Sequence, residues 1–276
     1  MLRVIVDSGS SIKQEEKEKY GVDIIPLHIN LDGVEYLDGV DLAEEAFYRA
    51  LTVDKIFPKT SLPSIAYVED LINGYIKQGD EVIYLALSSR LSGTYNTFNM
   101  HFEGNEKVRV IDTKSAAGGI RLLVEEINKD RSRSLDELEA RLLQIIPRIR
   151  LYAIPETLEY LYRGGRLSKT GYLLGGILGI VPIIAIEDGG AVAAGKKRGA
   201  KAAVKYILDK LDELEVDTDH SIIAEYSYTK DNAEGLVSLL KDEYKKLITA
   251  YDNLSPTIAS HWGPNAYGLF FISKKP

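Results

Sequence analysis

The residue types with the most chemical scope gather in residues 85–97, LALSSRLSGTYNT. Residues 82–87 are a short apolar run that predicts a buried strand, and it stops at Ser88-Ser89. Leu91-Ser92-Gly93-Thr94-Tyr95 follows as a small, hydroxyl-rich turn that opens a helix. Such a turn presents hydroxyls and backbone N–H groups outward, and the helix N-terminus adds partial positive charge. Ser92 and Gly93 are thereby a candidate seat for an anionic head, phosphate or carboxylate. The plainer role for Ser92 is to cap its helix. His261 precedes Gly263-Pro264, where an imidazole can donate to an anion, more strongly when protonated. Its plainer role is that of a partly buried loop histidine.

Other chemistries fit less well. The four histidines, His28, His101, His220 and His261, show no metal-ligand spacing, and there is no cysteine. No metal is expected. Ser92, His261 and an aspartate such as Asp112 are the parts of a hydrolase triad, but Ser92 lies in L-S-G-T and no G-x-S-x-G elbow is present. No phosphate-loop motif occurs, and the glycines at 171, 175, 176 and 179 lack dinucleotide-binding spacing. They suit close helix packing or passage of an apolar ligand. Arg166 and Lys169, then Lys196-Lys197-Arg198, form two cationic clusters. These read as solvated surface, or as a docking patch or phosphate clamp. A serine hydrolase or a phosphotransferase built on Ser92 and His261 is the enzymatic alternative to a binding protein.

The elements that must position these residues can be read from the pattern. The chain has 276 residues, 45% hydrophobic and 27% charged, enough to bury a substantial core. A formal net charge of −7 argues against a general nucleic-acid binder. The uncharged stretch 170–186 is short of the ~20 residues a membrane span needs and is broken by glycine and proline, so it reads as interior or ligand lining. Residues 2–6 read as a strand, not a leader. Residues 22–31 read as one strand, and 41–51 as a helix capped by Asp41 with Glu44 in a capping box. The 58–64 loop leads into a helix to about residue 78. Residues 108–111 are a strand, 135–146 an amphipathic helix, and 149–154 a strand. Residues 181–194 form a hairpin, 200–214 a helix, 221–226 a strand, 232–244 a helix, 257–260 a strand and 267–272 the closing strand.

Strand and helix alternate through the first half, which predicts a mostly parallel sheet with covered faces. The second half predicts a mixed sheet, and a domain boundary falls near 147, giving residues 1–147 and 148–276. In such sheets ligands bind outside the carboxyl ends of strands. Three of those ends are hydroxyl-rich: Ser8-Gly9-Ser10, Ser88-Ser89 with Ser92, and Thr113-Ser115.

Several motifs in register resemble the DegV family, the lipid-carrying subunits of bacterial fatty acid kinase systems. They are Asp7-Ser8; Tyr36-Leu37-Asp38-Gly39-Val40-Asp41; Pro58-Lys59-Thr60-Ser61-Leu62-Pro63-Ser64; Leu91-Ser92-Gly93-Thr94-Tyr95; Asp112-Thr113-Lys114; Thr157-Leu158-Glu159-Tyr160-Leu161 with Gly164-Gly165-Arg166-Leu167-Ser168; Arg198-Gly199; and His261-Trp262-Gly263-Pro264. The resemblance covers nearly the whole chain. It implies two α/β domains holding a long-chain fatty acid between them, with Thr60, Ser92 and His261 on the carboxylate and Gly93 offering backbone. It further implies a cytoplasmic protein of phospholipid synthesis that is not itself an enzyme and needs no cofactor. The bound acid would be presented to a separate kinase that makes an acyl phosphate, with Arg166 and Arg198 as docking or phosphate contacts. Three positions depart from the pattern: Gly9 stands where a hydroxyl is usual, Trp262 where a smaller residue is, and Asn265 where glycine is common. Trp262 would reshape the head-group end. Residues 172–186 would line the acyl tunnel.

Overall fold

The computed structural model describes residues 1–173 and 179–275. Among these the strands are Leu2–Asp7 (β1), Val22–Ile25 (β2), His28–Leu31 (β3), Val34–Leu37 (β4), Lys59–Ser61 (β5), Glu81–Ala86 (β6), Val108–Asp112 (β7), Ile149–Ile154 (β8), Ile180–Glu187 (β9), Gly190–Arg198 (β10), Ile222–Tyr226 (β11), Ile248–Asn253 (β12) and Tyr267–Ile272 (β13). They form a four-stranded sheet, β2-β1-β6-β7, a six-stranded sheet, β10-β9-β8-β13-β11-β12, and a small sheet, β4-β3-β5. The first is wholly parallel. The second is antiparallel except at β11–β12. The protein is thus α/β, with a parallel and a mixed sheet.

The strand sequences explain the layers. β6 is buried along nearly its whole length, as parallel strands covered on both faces are. Ile83 and Leu85 face the central core. Val82, Tyr84 and Ala86 face a second cluster, with Val68 and Ile72 of helix Ile65–Lys77 and Phe98 of helix Thr94–His101. β8 alternates in the same way: Leu151 and Ala153 face the central core. Tyr152 and Ile154 face helix Ala200–Leu214, which buries Ala203, Ile207 and Leu211 at four-residue spacing. Helix Gly118–Asn128 lies between the two large sheets and is buried on almost every side. A Cβ on its first residue, Gly118, would come within 2.8 Å of both Ile223 and Phe270 of the six-stranded sheet.

The parallel sheet reverses its strand order between β1 and β6, so the switch-point crevice opens beyond Asp7 and Leu87. Asp7 ties these ends together, accepting N–H bonds from Gly9 (3.0 Å) and Leu87 (2.9 Å). Gly9 has a steric reason to carry no side chain, because a Cβ there would fall 2.1 Å from Leu87 Cδ1.

Four local expectations are corrected. Residues 22–31 are two strands, because Pro26 offers no ladder donor and the chain there passes from the parallel sheet to the small one. Asp41 does not cap a helix. Helix Glu44–Thr52 starts after Ala43, and Asp41 Oδ1 instead accepts the Leu37 N–H at 2.6 Å, closing the turn after β4. Residues 257–260 belong to helix Pro256–Trp262, started by proline in its first turn and by Ser255 accepting the Ile258 N–H. The edge strand β12 fell outside the predicted elements, since its mixed ITAYDN sequence has no clean two-residue period. Of the 172–186 tunnel segment, residues 174–178, with Gly175 and Gly176, lie outside the described residues. Among the described residues no helix is long and apolar enough to cross a membrane.

Candidate functional site

A cavity of about 360 Å³ lies between the carboxyl edge of the parallel sheet and the six-stranded sheet, within the range of small-molecule sites. Most of its wall is apolar, with Leu27, Leu62, Leu87, Leu151, Ile186, Ile258, Trp262 and Phe270 among the lining residues. Thr60, Ser92, Gly93, Arg166 and His261 line it together. They come from four separate segments: β5, the turn after β6, the loop after helix Glu159–Arg163, and helix Pro256–Trp262.

His261 occupies the last turn of its helix, and its Nε2 lies 2.8 Å from Thr60 Oγ1. The other ring nitrogen, Nδ1, is buried without a hydrogen-bond partner. It faces Gly164, where a Cβ would come within 2.3 Å of it. Burial, and then the charge of Arg166, push the imidazole down to about 3, so it is neutral at physiological pH. The protonated donor considered from sequence is therefore disfavoured. A neutral ring donating through Nε2 leaves the Thr60 hydroxyl proton free for the cavity.

Ser92 unites the two roles read from its sequence. Its Oγ accepts the Thr94 N–H at 3.3 Å and pairs with Thr94 Oγ1 at 2.8 Å, while the residue also lines the cavity. If the buried Thr94 hydroxyl donates in that pair, the Ser92 proton is available to a ligand. Arg166 donates from Nε to the Leu91 carbonyl at 2.9 Å and from Nη1 to the Gly164 carbonyl. It thereby fastens the Ser92 turn to the loop that backs His261. Arg198 stands apart: it ends β10, is exposed, and does not line the cavity.

The parts of a triad are not assembled. The Ser92 hydroxyl bonds to Thr94 and His261 to Thr60. Asp112 accepts the N–H (3.0 Å) and hydroxyl (2.5 Å) of Ser89. Of the three hydroxyl-rich strand ends, only the Ser92 turn supplies hydroxyls to the cavity. Ser8 Oγ accepts the Leu27 N–H, Ser88 Oγ donates to the Gly189 carbonyl, and Thr113 Oγ1 donates to the Ala86 carbonyl. Among the described residues no His, Cys, Asp and Glu group could hold a metal ion. A roomier cleft of about 950 Å³ has a mixed wall, in which Asp112, Lys114, Glu139, Arg150, Glu187 and Asp188 interrupt the apolar residues and suit an alkyl chain less well.

Two lining residues escaped the sequence reading. Thr257 was placed in a strand; its N–H donates to buried Asp38, whose carboxyl burial pushes up. Glu225 is 2% exposed on β11, between β13 and the edge strand β12. Burial pushes its carboxyl up to about 7, against the pull of Arg121. A lone acid inside the apolar run IIAEY was the available signal.

Comparison with known proteins agrees with this architecture. The family model described as "Uncharacterised protein, DegV family" matches residues 1–274. A DegV domain-containing protein of Caldanaerobacter subterraneus is 31% identical over 278 residues, covering 99% of each chain. Among solved structures, a stearic-acid-binding protein from Eubacterium ventriosum superposes with a TM-score of 0.86 at 26% identity, covering 99% of each chain. A DegV family protein from Thermus thermophilus, described by its fatty acid binding, gives 0.83 at 30% identity, again over 99% of each chain. A family match over almost the full length, together with these relatives, shows that the chain belongs to the DegV family.

Proposed function

We propose that this protein binds a long-chain fatty acid in the cavity and holds its carboxylate at Thr60, Ser92, Gly93 and His261. The observation that carries the reading is an apolar cavity onto which hydroxyls and a neutral imidazole converge. Burying about 15 methylenes at about 0.8 kcal/mol each gives roughly 12 kcal/mol gross, before ordering costs. A carboxylate at the dry mouth of such a cavity needs donors; the Thr60 and Ser92 hydroxyls and the Gly93 backbone would supply them, with His261 orienting the Thr60 hydroxyl. In this reading the chain divides into α/β units 1–147 and 148–276 that close on the ligand. A separate kinase then phosphorylates the presented carboxylate. Arg166 steadies the head-group loop, and exposed Arg198 contacts that kinase or its phosphate.

The test is mass spectrometry of lipid released by denaturing the purified protein. Long-chain fatty acid is expected at near one per chain, and to be lost from Ser92→Ala and His261→Ala proteins that keep their circular dichroism. Absence of any fatty acid in the unaltered protein would overturn the proposal. Ester hydrolysis abolished by Ser92→Ala would turn the site into that of a hydrolase.

A further inference from the structure

The Tyr36–Asp41 motif supplies no residue to the cavity wall, yet it buries an acid. Asp38, in the turn after β4, is 1% exposed. Its Oδ2 accepts the Thr257 N–H at 3.2 Å. The hydroxyls of Thr257, Ser8 and Ser255 stand near the carboxyl and oppose the upward push of burial. Only the Thr257 N–H is in hydrogen-bonding geometry: Asp38 Oδ1 and Thr257 Oγ1 are both buried without a partner. Interiors rarely hold an acid on such terms, so the bond to Thr257 calls for a reason.

Helix Pro256–Trp262 supplies one. It has seven residues, too few to hold its shape alone, so tertiary contacts must set its place. Its N-terminal donors can be followed one by one. Pro256 has none, Ser255 Oγ takes the Ile258 N–H, and Asp38 takes the Thr257 N–H. The serine bond is local, whereas the Asp38 bond spans 219 residues. One turn further along the same face, His261 Nε2 meets Thr60 Oγ1 at 2.8 Å. Both partners of this face belong to the small sheet β4-β3-β5. Thr60 is in register with Ile29, and Ile29 with Tyr36, while the Asp38 N–H donates to the Leu27 carbonyl at 2.9 Å. The small sheet therefore grips one helical turn at both ends. Ile258 and Trp262, the adjacent pair with the same spacing, line the cavity.

We propose that Asp38 is a positioning residue for the head-group site: by tying the start of helix Pro256–Trp262 to the small sheet, it fixes where His261 meets Thr60. Without this acceptor the helix keeps its serine cap and its apolar packing, but it is free to slide or turn against the sheet. The contact between His261 and Thr60 is then the first to be lost. A carboxylate at this place also complements the positive end of the helix. The inference rests on the fatty-acid reading for its effect on binding, whereas the placement of the ring is read without lipid.

The experiment follows the histidine ring nitrogens by NMR in the full chain stripped of lipid, and stearic acid affinity by calorimetric titration. His261→Gln identifies the His261 signals among those of the four histidines. In Asp38→Ala those signals should move and the Nε2 proton should exchange faster with water. Affinity should fall about fivefold, the weight of one net hydrogen bond. Asp38→Asn keeps an acceptor oxygen and should restore both. In a His261→Ala background, Asp38→Ala should change affinity by less than about twofold, because it acts through the ring. An equal loss of affinity in both backgrounds would mark a merely structural role and overturn the proposal, as would unmoved His261 signals in Asp38→Ala. Should Asp38→Ala fail to fold, Asp38→Glu takes its place: the carboxylate is kept but set one methylene further out, and the same movement of the His261 signals is required. Failure of the unaltered protein to bind stearic acid would overturn the fatty-acid reading, and the ring signals would still decide the placement of His261.

Discussion

Gly164→Ala tests the proposed head-group site without replacing any residue that lines it. Gly164 has φ −70°, ψ −8°, ordinary helical values, so alanine costs nothing in backbone conformation. The added Cβ would fall 2.3 Å from His261 Nδ1 and 3.0 Å from its Cε1. Ordinary contact needs about 3.5 Å, so the ring must retreat by roughly 1 Å. It is pinned on its far side by Thr60 at 2.8 Å. A shift of that size, or a change of rotamer, takes this hydrogen bond out of range. The loss is about 1 kcal/mol for the bond, and about 1–3 kcal/mol where a buried group is left unpaired. Fatty-acid affinity should therefore fall between about fivefold and 100-fold. Calorimetric titration of the stripped protein with stearic acid measures the change, and circular dichroism checks the fold. Gly165→Ala is the control: its φ of +74° penalises alanine, but nothing lies within 4 Å of the new Cβ. It should lower stability by about 1 kcal/mol and leave affinity unaltered. Affinity of Gly164→Ala within twofold of the parent would refute the claim that the placement of His261 governs the head-group site.

Other expectations follow from single residues. Arg198→Ala should retain lipid yet lower phosphorylation by a partner kinase, and equal turnover would remove its docking role. Arg166→Lys cannot reach two carbonyls with a planar fork, so it should loosen the Ser92 turn and shorten lipid residence, read as faster exchange of labelled fatty acid. Glu225 is raised from an ordinary 4.5 to about 7, so its burial is tolerated best when protonated, and stability should decline as pH rises from about 4.5 through 7. Glu225→Gln should flatten that decline by at most about 3 kcal/mol, measured by urea unfolding across the range. His261 acts oppositely: with its value lowered from 6.5 to about 3, stability should fall as pH drops below 6.5, and His261→Gln should remove that share.

The parts of this protein legible in sequence were those set by local chemistry. β6 was evident because both its faces are buried, giving an unbroken apolar run. Helix Ile65–Lys77 was evident because Ser64 caps it with its own side chain, at 3.3 Å from the Tyr67 N–H. Parts that depend on distant partners were less legible. Asp41 has the composition of a cap but is used by the Leu37 N–H. β12 is an edge strand whose Asp252 is matched to Arg121, 131 residues away. The site itself divides the same way. Ser92 and His261 were visible as residue types, whereas the neutrality of His261 follows from burial and from Arg166, which only the fold brings near. Gly164 was visible as part of a glycine pair, but its purpose requires knowing that an imidazole stands against it.

The character of the head-group cluster has a consequence for transfer. Arg166 is the cation nearest to hand, yet two backbone carbonyls already hold its guanidinium. In the proposed reading the carboxylate is left to the Thr60 and Ser92 hydroxyls, with the neutral His261 ring orienting the first of them. A hydroxyl donating to a carboxylate makes a charge-assisted bond but adds no ion pair and no bidentate fork. Affinity would then reside mainly in the alkyl tail, where roughly 12 kcal/mol of gross burial is available, and the head group would supply orientation. A bidentate arginine would hold the anion more firmly but would also occupy both oxygens and stabilise the ground state against attack on phosphate. If the proposed transfer to a kinase takes place, a carboxylate held by directional hydroxyls without an ion pair is the more readily surrendered. Replacing Thr60 with arginine should on this argument tighten binding while slowing acyl-phosphate formation, and an increase in both would contradict it.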